Sequence, residues 1–325
     1  MALSSKLWKP YARRSAIKIA VTGGSGFIAS HVVDQLLEVG HDVTVIDVLP
    51  PRTKKINFRE ADLRDTKGMI EATKGMEVVY HLAAVANVNH AQKDPLLCVD
   101  LNMKGTANVL EAARQNGVSR VLFASTVWVY NATLDEVATE ESCLRLDKAG
   151  HLYTSSKIAG EMLLHSYWQM YQLPFTILRY GIPYGPRMRD DLVIPIFFRK
   201  ALAGEPLTIN GDGKQYRKFV YVKDLAAGNV AALSLKAKNQ TYNLEGTESV
   251  SILDIAQGVK ELVGGVELQF TPARTADFKG CDIRADKAKK ELGWIARTPF
   301  AEGLRKSYEW YLEAHPSARP AAVAG

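Results

Sequence analysis

Cysteine is scarce in this sequence of 325 residues, with three cysteines, at positions 98, 143 and 281. Three scattered thiols cannot form a disulfide framework and lack the spacing of a zinc site, so we predict no metal centre. Long hydrophobic runs are lacking too, since no stretch reaches the roughly 18 apolar residues of a membrane-spanning helix. We therefore expect a protein of the reducing cytoplasm that has no membrane partner.

No nucleic-acid motif and no long basic cluster accompany the formal net charge of +6. A positive surplus suits nucleic acid or any anionic substrate. Without a motif we expect an anionic substrate and no nucleic-acid partner. Hydrophobic residues make up 47% and charged residues 23% of the chain. This balance excludes a mainly disordered, collagen-like or coiled-coil protein and is typical of a globular one.

Strand and helix patterns alternate over the first 180 residues. Short β-prone segments occur at 17–22, 42–47, 56–61, 77–82 and 119–124. Helical patterns occur at about 27–39, 67–73, 90–115 and 153–172. Such alternation predicts an α/β fold, namely a Rossmann-type doubly wound parallel sheet with helices on both faces.

The pattern changes after residue 180, where loops lengthen, strands become fewer and prolines cluster. Helical patterns recur at about 222–235, 251–263 and 299–313. We therefore divide the chain into four parts. They are a loosely ordered extension over 1–15, a cofactor-binding Rossmann domain over 16–180 to which some later segments return, a smaller mixed α/β domain for the substrate over 181–315, and a frayed tail over 316–325.

A glycine turn, Thr-Gly-Gly-Ser-Gly-Phe-Ile-Ala at 22–29, lies between the first predicted strand and helix. Gly23 permits a tight turn, and Gly26 lets a pyrophosphate approach the main-chain N–H groups at the helix N-terminus. Asp47 ends the next strand, where a carboxylate can accept both ribose hydroxyls of NAD and repels the 2′-phosphate of NADP. The alternative is a purely structural turn, and Arg52 is a small argument for NADP. We predict NAD as the cofactor.

Tyr153 and Lys157 are one helical turn apart, which brings the ammonium beside the phenol. Its charge would lower the pKa of the phenol and make it a usable proton acceptor. Ser125 and Thr126 follow the predicted strand 119–124, at the sheet edge where ligands bind, so a hydroxyl there could bond the same substrate oxygen. The alternative makes Tyr153 a packed helix residue and Ser125 a helix cap.

Together these motifs resemble the extended short-chain dehydrogenase/reductase family, in its NAD-dependent epimerase/dehydratase branch. Further matching segments are Asp62-Leu63, His-Leu-Ala-Ala (81–84), Asn102-x-x-Gly105-Thr106, Ser-Thr-x-x-Val-Tyr (125–130), Arg179-Tyr180, Tyr-Gly-Pro-Arg (184–187), Gly-Asp-Gly (211–213), Arg217-x-Phe-Val-Tyr-Val-x-Asp224 and Leu-Gly-Trp (292–294). The segments follow the family order over most of the chain. The resemblance implies a Rossmann domain for NAD and a smaller domain for a nucleotide sugar.

The resemblance also implies site residues. The catalytic set would be Thr126, Tyr153 and Lys157. The residues that bind NAD would be Gly23, Gly26, Phe27, Ile28, Asp47, Asp62, Leu63, Leu82, Ala83, Ala84, Tyr153, Lys157 and Tyr180. Arg217 and Arg274 would bind the substrate diphosphate, for which guanidinium forks are suited. Arg187 and Arg189 are further substrate candidates, since a similar segment of UDP-glucuronate 4-epimerases carries two arginines. The alternative for these arginines is a solvated surface position.

Val127 and Trp128 follow Thr126, where related dehydratases have an Asp-Glu pair and UDP-glucuronate decarboxylases a glutamate before Val-Tyr. Apolar side chains cannot act as acid or base, which leaves the minimal set of a 4-epimerase. The resemblance therefore implies an NAD-dependent epimerase acting at C4 of a nucleotide sugar of the UDP-glucose/UDP-galactose type. It also implies a homodimer, paired through the helices at 90–115 and 153–172.

Several alternatives stay open at this point. They are a UDP-glucuronate 4-epimerase, a nucleotide-sugar reductase, dehydrogenase or dehydratase of the same family, and a non-catalytic NAD-binding sensor. The neighbouring Asp190 and Asp191 offer both arginines of their loop simpler partners than a sugar carboxylate, so we favour a neutral hexose. Three departures from the family pattern bear on the exact sugar: Trp128, which we expect at the border of the sugar pocket, Asn131 and Gly181-Ile182.

Overall fold

The computed structural model describes residues 16–53, 56–272 and 281–318. The strands in these ranges are β1 (Lys18–Thr22), β2 (Asp42–Asp47), β3 (Asn57–Glu60), β4 (Val78–His81), β5 (Arg120–Thr126), β6 (Val137–Ala138), β7 (Phe175–Tyr180), β8 (Ile182–Tyr184), β9 (Leu207–Asn210), β10 (Tyr216–Tyr221), β11 (Gln240–Leu244), β12 (Ser249–Ser251), β13 (Leu268–Thr271) and β14 (Asp282–Ile283). The α-helices are α1 (Phe27–Glu38), α2 (Thr66–Ala72), α3 (Val88–Lys93), α4 (Pro95–Val99), α5 (Gly105–Gln115), α6 (Leu152–Tyr171), α7 (Val193–Leu202), α8 (Val222–Ala231), α9 (Ile252–Val263), α10 (Asp286–Leu292) and α11 (Phe300–Ala314).

One large parallel sheet has the strand order β11-β7-β5-β4-β1-β2-β3. Its central strands are buried on both faces, as the near-continuous apolar sequence of β5 requires. Helices α1, α8 and α10 cover one face, where Ile19 and Val21 lie in the core. Helices α2, α5 and α6 cover the other face, where Ala20 is buried. The predicted doubly wound Rossmann-type fold is confirmed.

The prediction of one continuous helix over 90–115 is wrong. The helix α3 ends at Lys93, α4 starts at Pro95, and a π-helical turn over Asp100–Lys104 precedes α5. Proline restricts the residue before it to extended backbone. The carboxylate of Asp94 then caps α4 by accepting the N–H of Leu97 over 3.0 Å.

Beyond β7 the chain forms a second core around α7, α9 and α11, into which Tyr184, Phe198 and Leu304 pack. Three small sheets accompany it, with the orders β12-β10-β8, β13-β9 and β14-β6. The later segments β11, α8 and α10 return to the large sheet. Two of the small sheets, through β8, β10 and β14, border the cavity described below, together with residues that follow β5 and β11 of the large sheet.

Three predicted features lie outside the described residues: Arg274, the extension over 1–15, and residues 319–325 of the tail. Residues 316–318, at the start of that tail, form a short 3₁₀ turn after α11. No helix in the described ranges is long and apolar enough to cross a membrane.

Candidate active site

The glycine turn is packed too tightly for side chains. Gly23 has a φ of 72°, and a Cβ placed there would lie 2.7 Å from the Cα of Ala83. Gly26 donates its N–H to the carbonyl of Gly23 over 2.9 Å and is the N-cap of α1. With no side chain at this cap, the first N–H groups of α1 face the turn. Such a cradle fits the pyrophosphate of a dinucleotide.

Asp47 is fixed beside the glycine turn at the end of β2. One carboxylate oxygen accepts the N–H of Ser25 over 3.1 Å and the other accepts the N–H of Leu49 over 3.1 Å. These two hydrogen bonds orient the carboxylate at the edge where a cofactor ribose would lie. Together, the glycine cradle and this oriented carboxylate fit NAD. Arg52 lines a small surface depression together with Gly24.

The other predicted cofactor residues lie at or after the carboxyl ends of β3, β4 and β7 and at the start of α1. Leu63 is buried against Gly105, and Asp62 forms an ion pair with Arg64 that holds the pKa of the carboxyl below its usual range. Leu82, Ala83 and Ala84 follow β4 directly, and Phe27 and Ile28 open α1. Tyr180 is buried, and its hydroxyl donates to the Asn229 side chain over 2.5 Å. A direct contact of Tyr180 with NAD stays a prediction.

Thr126, Tyr153 and Lys157 come together and are all buried. Thr126 ends β5, whereas the other two lie on α6, and the Thr126 side chain is close enough to the phenol of Tyr153 to act on its pKa. The amine of Lys157 donates to the carbonyl of Ala124 over 2.7 Å. The structure therefore brings one phenol, one hydroxyl and one amine to the carboxyl edge of the sheet, where ligands bind to such folds.

Burial controls the pKa values of this group. It raises the pKa of Tyr153 to about 12, although the nearby Thr126 side chain and the charge of Arg189 work against it. It lowers the pKa of Lys157 to about 8, against the influence of Cys98 and Glu161. The expected lowering of the phenol pKa by the ammonium stays a prediction. A phenol of this kind becomes a proton acceptor only when positive charge is brought close to it.

The neighbouring Ser125 has a different partner. Its hydroxyl donates to Glu161 over 2.5 Å, and Glu161 in turn forms a buried ion pair with Arg179 at 2.7 Å. This network ties α6 to β5 and β7. On the other side, the Asn102 side chain donates to the hydroxyl of Ser156 over 2.9 Å and so joins α6 to the π-helical turn. These contacts hold α6 in place and so position Tyr153 relative to Thr126.

A cavity of about 560 Å³ opens beside Thr126, between β8, β10, β14 and the 3₁₀ turn Val127–Ala132. Trp128, Asn131 and Ile182, the departures from the family pattern, all line it, as does Arg217. The expectation that Trp128 borders a pocket agrees with this position. A volume of several hundred cubic ångströms is typical of a small-molecule site.

Sequence reasoning missed four charged residues of this cavity: Lys214, Lys218, Glu245 and Asp282. The amine of Lys218 donates to Asp282 over 2.5 Å and to the carbonyl of Ile283 over 3.1 Å. Lys218 is next to the motif residue Arg217, which was a usable signal. No local sequence signal marked Glu245 or Asp282, because only the pairing of distant strands brings them to the cavity.

The two arginines after β8 have partners within the protein. Arg187 forms an ion pair with Asp34 at 2.7 Å, and Arg189 forms one with Asp191 at 3.1 Å. The expected aspartate partner is therefore found for Arg189, whereas Arg187 pairs across to α1 instead. Within the described ranges, His, Cys, Asp and Glu side chains form no group of three that could hold a metal.

Known proteins are similar to this chain in sequence and fold. The sequence model described as NAD dependent epimerase/dehydratase family matches residues 19–244. The solved UDP-glucose 4-epimerase of Thermus thermophilus, in complex with NAD, is 34% identical, covers 92% of this chain and 100% of that chain, and has a TM-score of 0.83. The UDP-glucuronic acid 4-epimerase from Bacillus cereus, in complex with UDP-glucuronic acid and NAD, is 29% identical with the same coverage and a TM-score of 0.83.

A curated relative carries out a different reaction. The UDP-N-acetyl-alpha-D-glucosaminuronate decarboxylase of Bacillus cytotoxicus is 31% identical, over 90% of this chain and 97% of its own length. Similarity over the whole length therefore extends to proteins of more than one activity, and the residues around Thr126 have to distinguish between them.

Proposed function

Because the chain belongs to the NAD-dependent epimerase/dehydratase family, we propose that it is a 4-epimerase of a neutral nucleotide sugar of the UDP-glucose/UDP-galactose type. The cofactor of the family is NAD. The observation that carries the proposal is the burial of Thr126 and Tyr153 side by side at the end of β5, next to Val127 and Trp128. The pair can exchange a proton with a sugar hydroxyl, whereas the two apolar side chains beside it can supply no acid or base for elimination.

Each residue has a defined task in this reaction. Tyr153 accepts the proton of the 4-hydroxyl, and Thr126 holds the same oxygen by a hydrogen bond. Lys157 would hold the cofactor ribose and add positive charge near the phenol. NAD, when bound, would supply the acceptor of the C4 hydride and then its donor for the return step. Oxidation leaves a 4-keto sugar, which rotates about its diphosphate link before reduction from the other face and return of the proton from Tyr153.

The cavity offers cationic partners for the diphosphate. Arg217 and Lys214 line it, on and just before β10. A guanidinium can bind two phosphate oxygens through parallel hydrogen bonds. With the diphosphate held there, the sugar lies towards Thr126 at the end of β5. Arg274, which lies outside the described residues, stays a further candidate for the diphosphate.

A neutral hexose is favoured over a sugar acid because the two candidate arginines already have carboxylate partners in the protein. Arg187 is paired with Asp34, and Arg189 with Asp191. A sugar carboxylate in a closed cavity needs a charged partner, since an unpaired buried charge is costly. UDP-glucuronate is the comparison substrate in every assay, because the chain is similar to the UDP-glucuronic acid 4-epimerase of Bacillus cereus.

The experiment is product analysis by NMR with UDP-glucose, UDP-galactose and UDP-glucuronate. We expect interconversion of the first two without any change in the amount of UDP-sugar, and NAD that remains bound through purification. Y153F serves as the inactive control. A 4-keto-6-deoxy sugar as the product, release of carbon dioxide, or dependence on added NAD as a consumed reactant would overturn the proposal in favour of a dehydratase, decarboxylase or dehydrogenase.

A further inference from the structure

Glu161 lies on the face of α6 that carries Tyr153 and Lys157, one helical turn beyond the lysine. The three residues are spaced four apart, which puts them on one side of the helix, and all three are buried. The amine of Lys157 donates to the carbonyl of Ala124 over 2.7 Å, and the hydroxyl of Ser125 donates to Oε1 of Glu161 over 2.5 Å. The amine and the carboxylate of α6 therefore meet two consecutive residues of β5.

The helix approaches β5 closely at this level. A Cβ built on Gly160 would lie 2.5 Å from the ring of Phe123, so a side chain at this position would displace the ring. The amine of Lys157 lies 4.9 Å from the centre of the same ring. Because Lys157 and Glu161 are both shielded from solvent here, a charge on one acts on the other more strongly than it would in water.

Arg179 on β7 fixes the carboxylate of Glu161. Its Nε donates to Oε1 over 3.0 Å and its Nη2 donates to Oε2 over 2.7 Å, a two-point contact. Its third nitrogen, Nη1, donates to the hydroxyl of Tyr130 over 2.8 Å. Together with the hydroxyl of Ser125, these donors satisfy the carboxylate in its ionised form, and the guanidinium offsets part of its charge.

The other titratable groups around Lys157 are uncharged at neutral pH. Burial raises the pKa of the Cys98 thiol on α4 and lowers the pKa of His81 on β4 to about 3. The phenol of Tyr153, with its pKa of about 12, is neutral as well. In the part of the chain that the structure describes, Glu161 is therefore the ionised side chain that acts on the amine of Lys157.

We propose, on the basis of the function proposed above, that Glu161 and Arg179 are positioning residues of the reaction, in which the carboxylate keeps Lys157 in its ammonium form and the guanidinium fixes the carboxylate and limits its effect. Lys157 serves the reaction as a cation, because positive charge near the phenol of Tyr153 favours loss of its proton. Turnover then falls at the pH at which Lys157 loses its charge, and the buried pair sets that pH.

The test titrates Lys157 itself. NAD-loaded protein is labelled with carbon-13 at Cε of lysine, and the NMR signal of Lys157 is assigned by its absence from K157M. E161Q removes the anion and leaves the guanidinium, so the titration midpoint should fall by at least about one pH unit. R179Q removes the cation and leaves the anion, so the midpoint should rise. Glu261 on α9 and Arg305 on α11 are exposed, and the control variants E261Q and R305Q should leave the midpoint as in wild type.

The fall in E161Q distinguishes this role from a purely structural one, because loosening of α6 would hydrate Lys157 and raise the midpoint instead. A midpoint that does not fall in E161Q, or does not rise in R179Q, overturns the inference. If either variant does not fold, the double variant E161Q/R179Q is titrated, since it leaves no unpaired buried charge. The carboxylate acts on Lys157 more strongly than the guanidinium, so this midpoint should still fall, and one that does not fall overturns the inference.

The pH profile of kcat with saturating UDP-glucose is the second measurement. Its upper limb should move in the same direction as the midpoint of Lys157 in each variant. A limb that stays in place while the midpoint moves would overturn the link between this charge and turnover. The proposed function fails separately, when wild-type protein interconverts no UDP-hexose, and the midpoints remain measurable in that case.

Discussion

The guanidinium of Arg187 lies 2.7 Å from the carboxylate of Asp34 and so joins the loop after β8 to the first helix of the large sheet. Arg187 adopts a φ of 68°, which is uncommon for a residue with a side chain. One turn earlier on α1, the ring of His31 contacts the carbonyl of Pro186 at 2.9 Å. Burial lowers the pKa of His31 to about 4, so this ring is neutral at neutral pH. The loop is therefore held to α1 by two contacts.

The first prediction concerns this ion pair. We expect R187A to lower the free energy of unfolding by about 1 kcal/mol, the upper end for a partly exposed pair, and to leave the ratio of kcat/KM for UDP-glucose and UDP-glucuronate unchanged. Thermal unfolding and initial rates measure the two effects, with R189A as the control. A selective loss of UDP-glucuronate turnover in either variant would instead assign that arginine to a sugar carboxylate.

The second prediction concerns the catalytic phenol. In Y153F the only group proposed to accept the 4-hydroxyl proton is gone, so activity should fall at least about a hundredfold. Binding of NAD should persist, because the glycine cradle and Asp47 are untouched. Single-turnover rates and the NAD content of the purified protein measure these effects. Near-normal turnover in Y153F would contradict the role assigned to the phenol.

Local signals in the sequence predicted the elements that bind the cofactor. The strand before Gly23, the helix after Gly26 and the position of Asp47 all follow from patterns within 30 residues. The site around Thr126 was predicted only in part, since the spacing could not tell which of Ser125 and Thr126 faces the phenol. The packing of α6 settles that point, because Glu161 takes the hydroxyl of Ser125.

Non-local pairings account for what the sequence could not predict. The sequence Asp94-Pro95 indicates a break in the helix, but the apolar periodicity over 90–115 favoured one continuous helix. The meeting of Gly181 with Glu245 depends on the pairing of β7 with β11, whose residues are 64 positions apart. No local pattern encodes such a contact, and the same holds for Arg187 with Asp34.

The third prediction concerns cofactor choice. We expect D47A to weaken NAD binding and to reduce the preference for NAD over NADP, because the carboxylate that repels a 2′-phosphate is gone. Calorimetric titration of cofactor-free protein with both dinucleotides measures the change. E38A removes a carboxylate at the far end of α1 and is the control. If the unmodified protein already prefers NADP, then Arg52 and not Asp47 governs the choice.

The fourth prediction concerns assembly. Met162 and Met170 on α6 are 56% and 68% exposed, and Leu96 on α4 is also exposed. A cluster of exposed apolar side chains on neighbouring helices favours self-association, and we expect a homodimer. M162E should shift the protein towards monomer in light scattering at micromolar concentration. L235E changes a comparably exposed leucine over the other face of the sheet and should have no effect. A wild-type monomer would refute the expectation.

The fifth prediction concerns the pH dependence of stability at Glu245. Its folded-state pKa of about 8 lies above the ordinary value of 4.5, so the folded protein holds a proton that the unfolded chain releases. Stability from this group is complete below pH 4.5 and is lost as pH rises through 8. Between pH 5 and 8 the loss is on the order of 4 kcal/mol, at about 1.4 kcal/mol per pH unit.

E245Q cannot titrate, so its unfolding free energy should fall less over this range than that of wild type, whereas E261Q should follow wild type. Urea unfolding at pH 5, 6.5 and 8 measures the three slopes, and identical slopes for wild type and E245Q would show that the carboxyl is ionised in the folded protein.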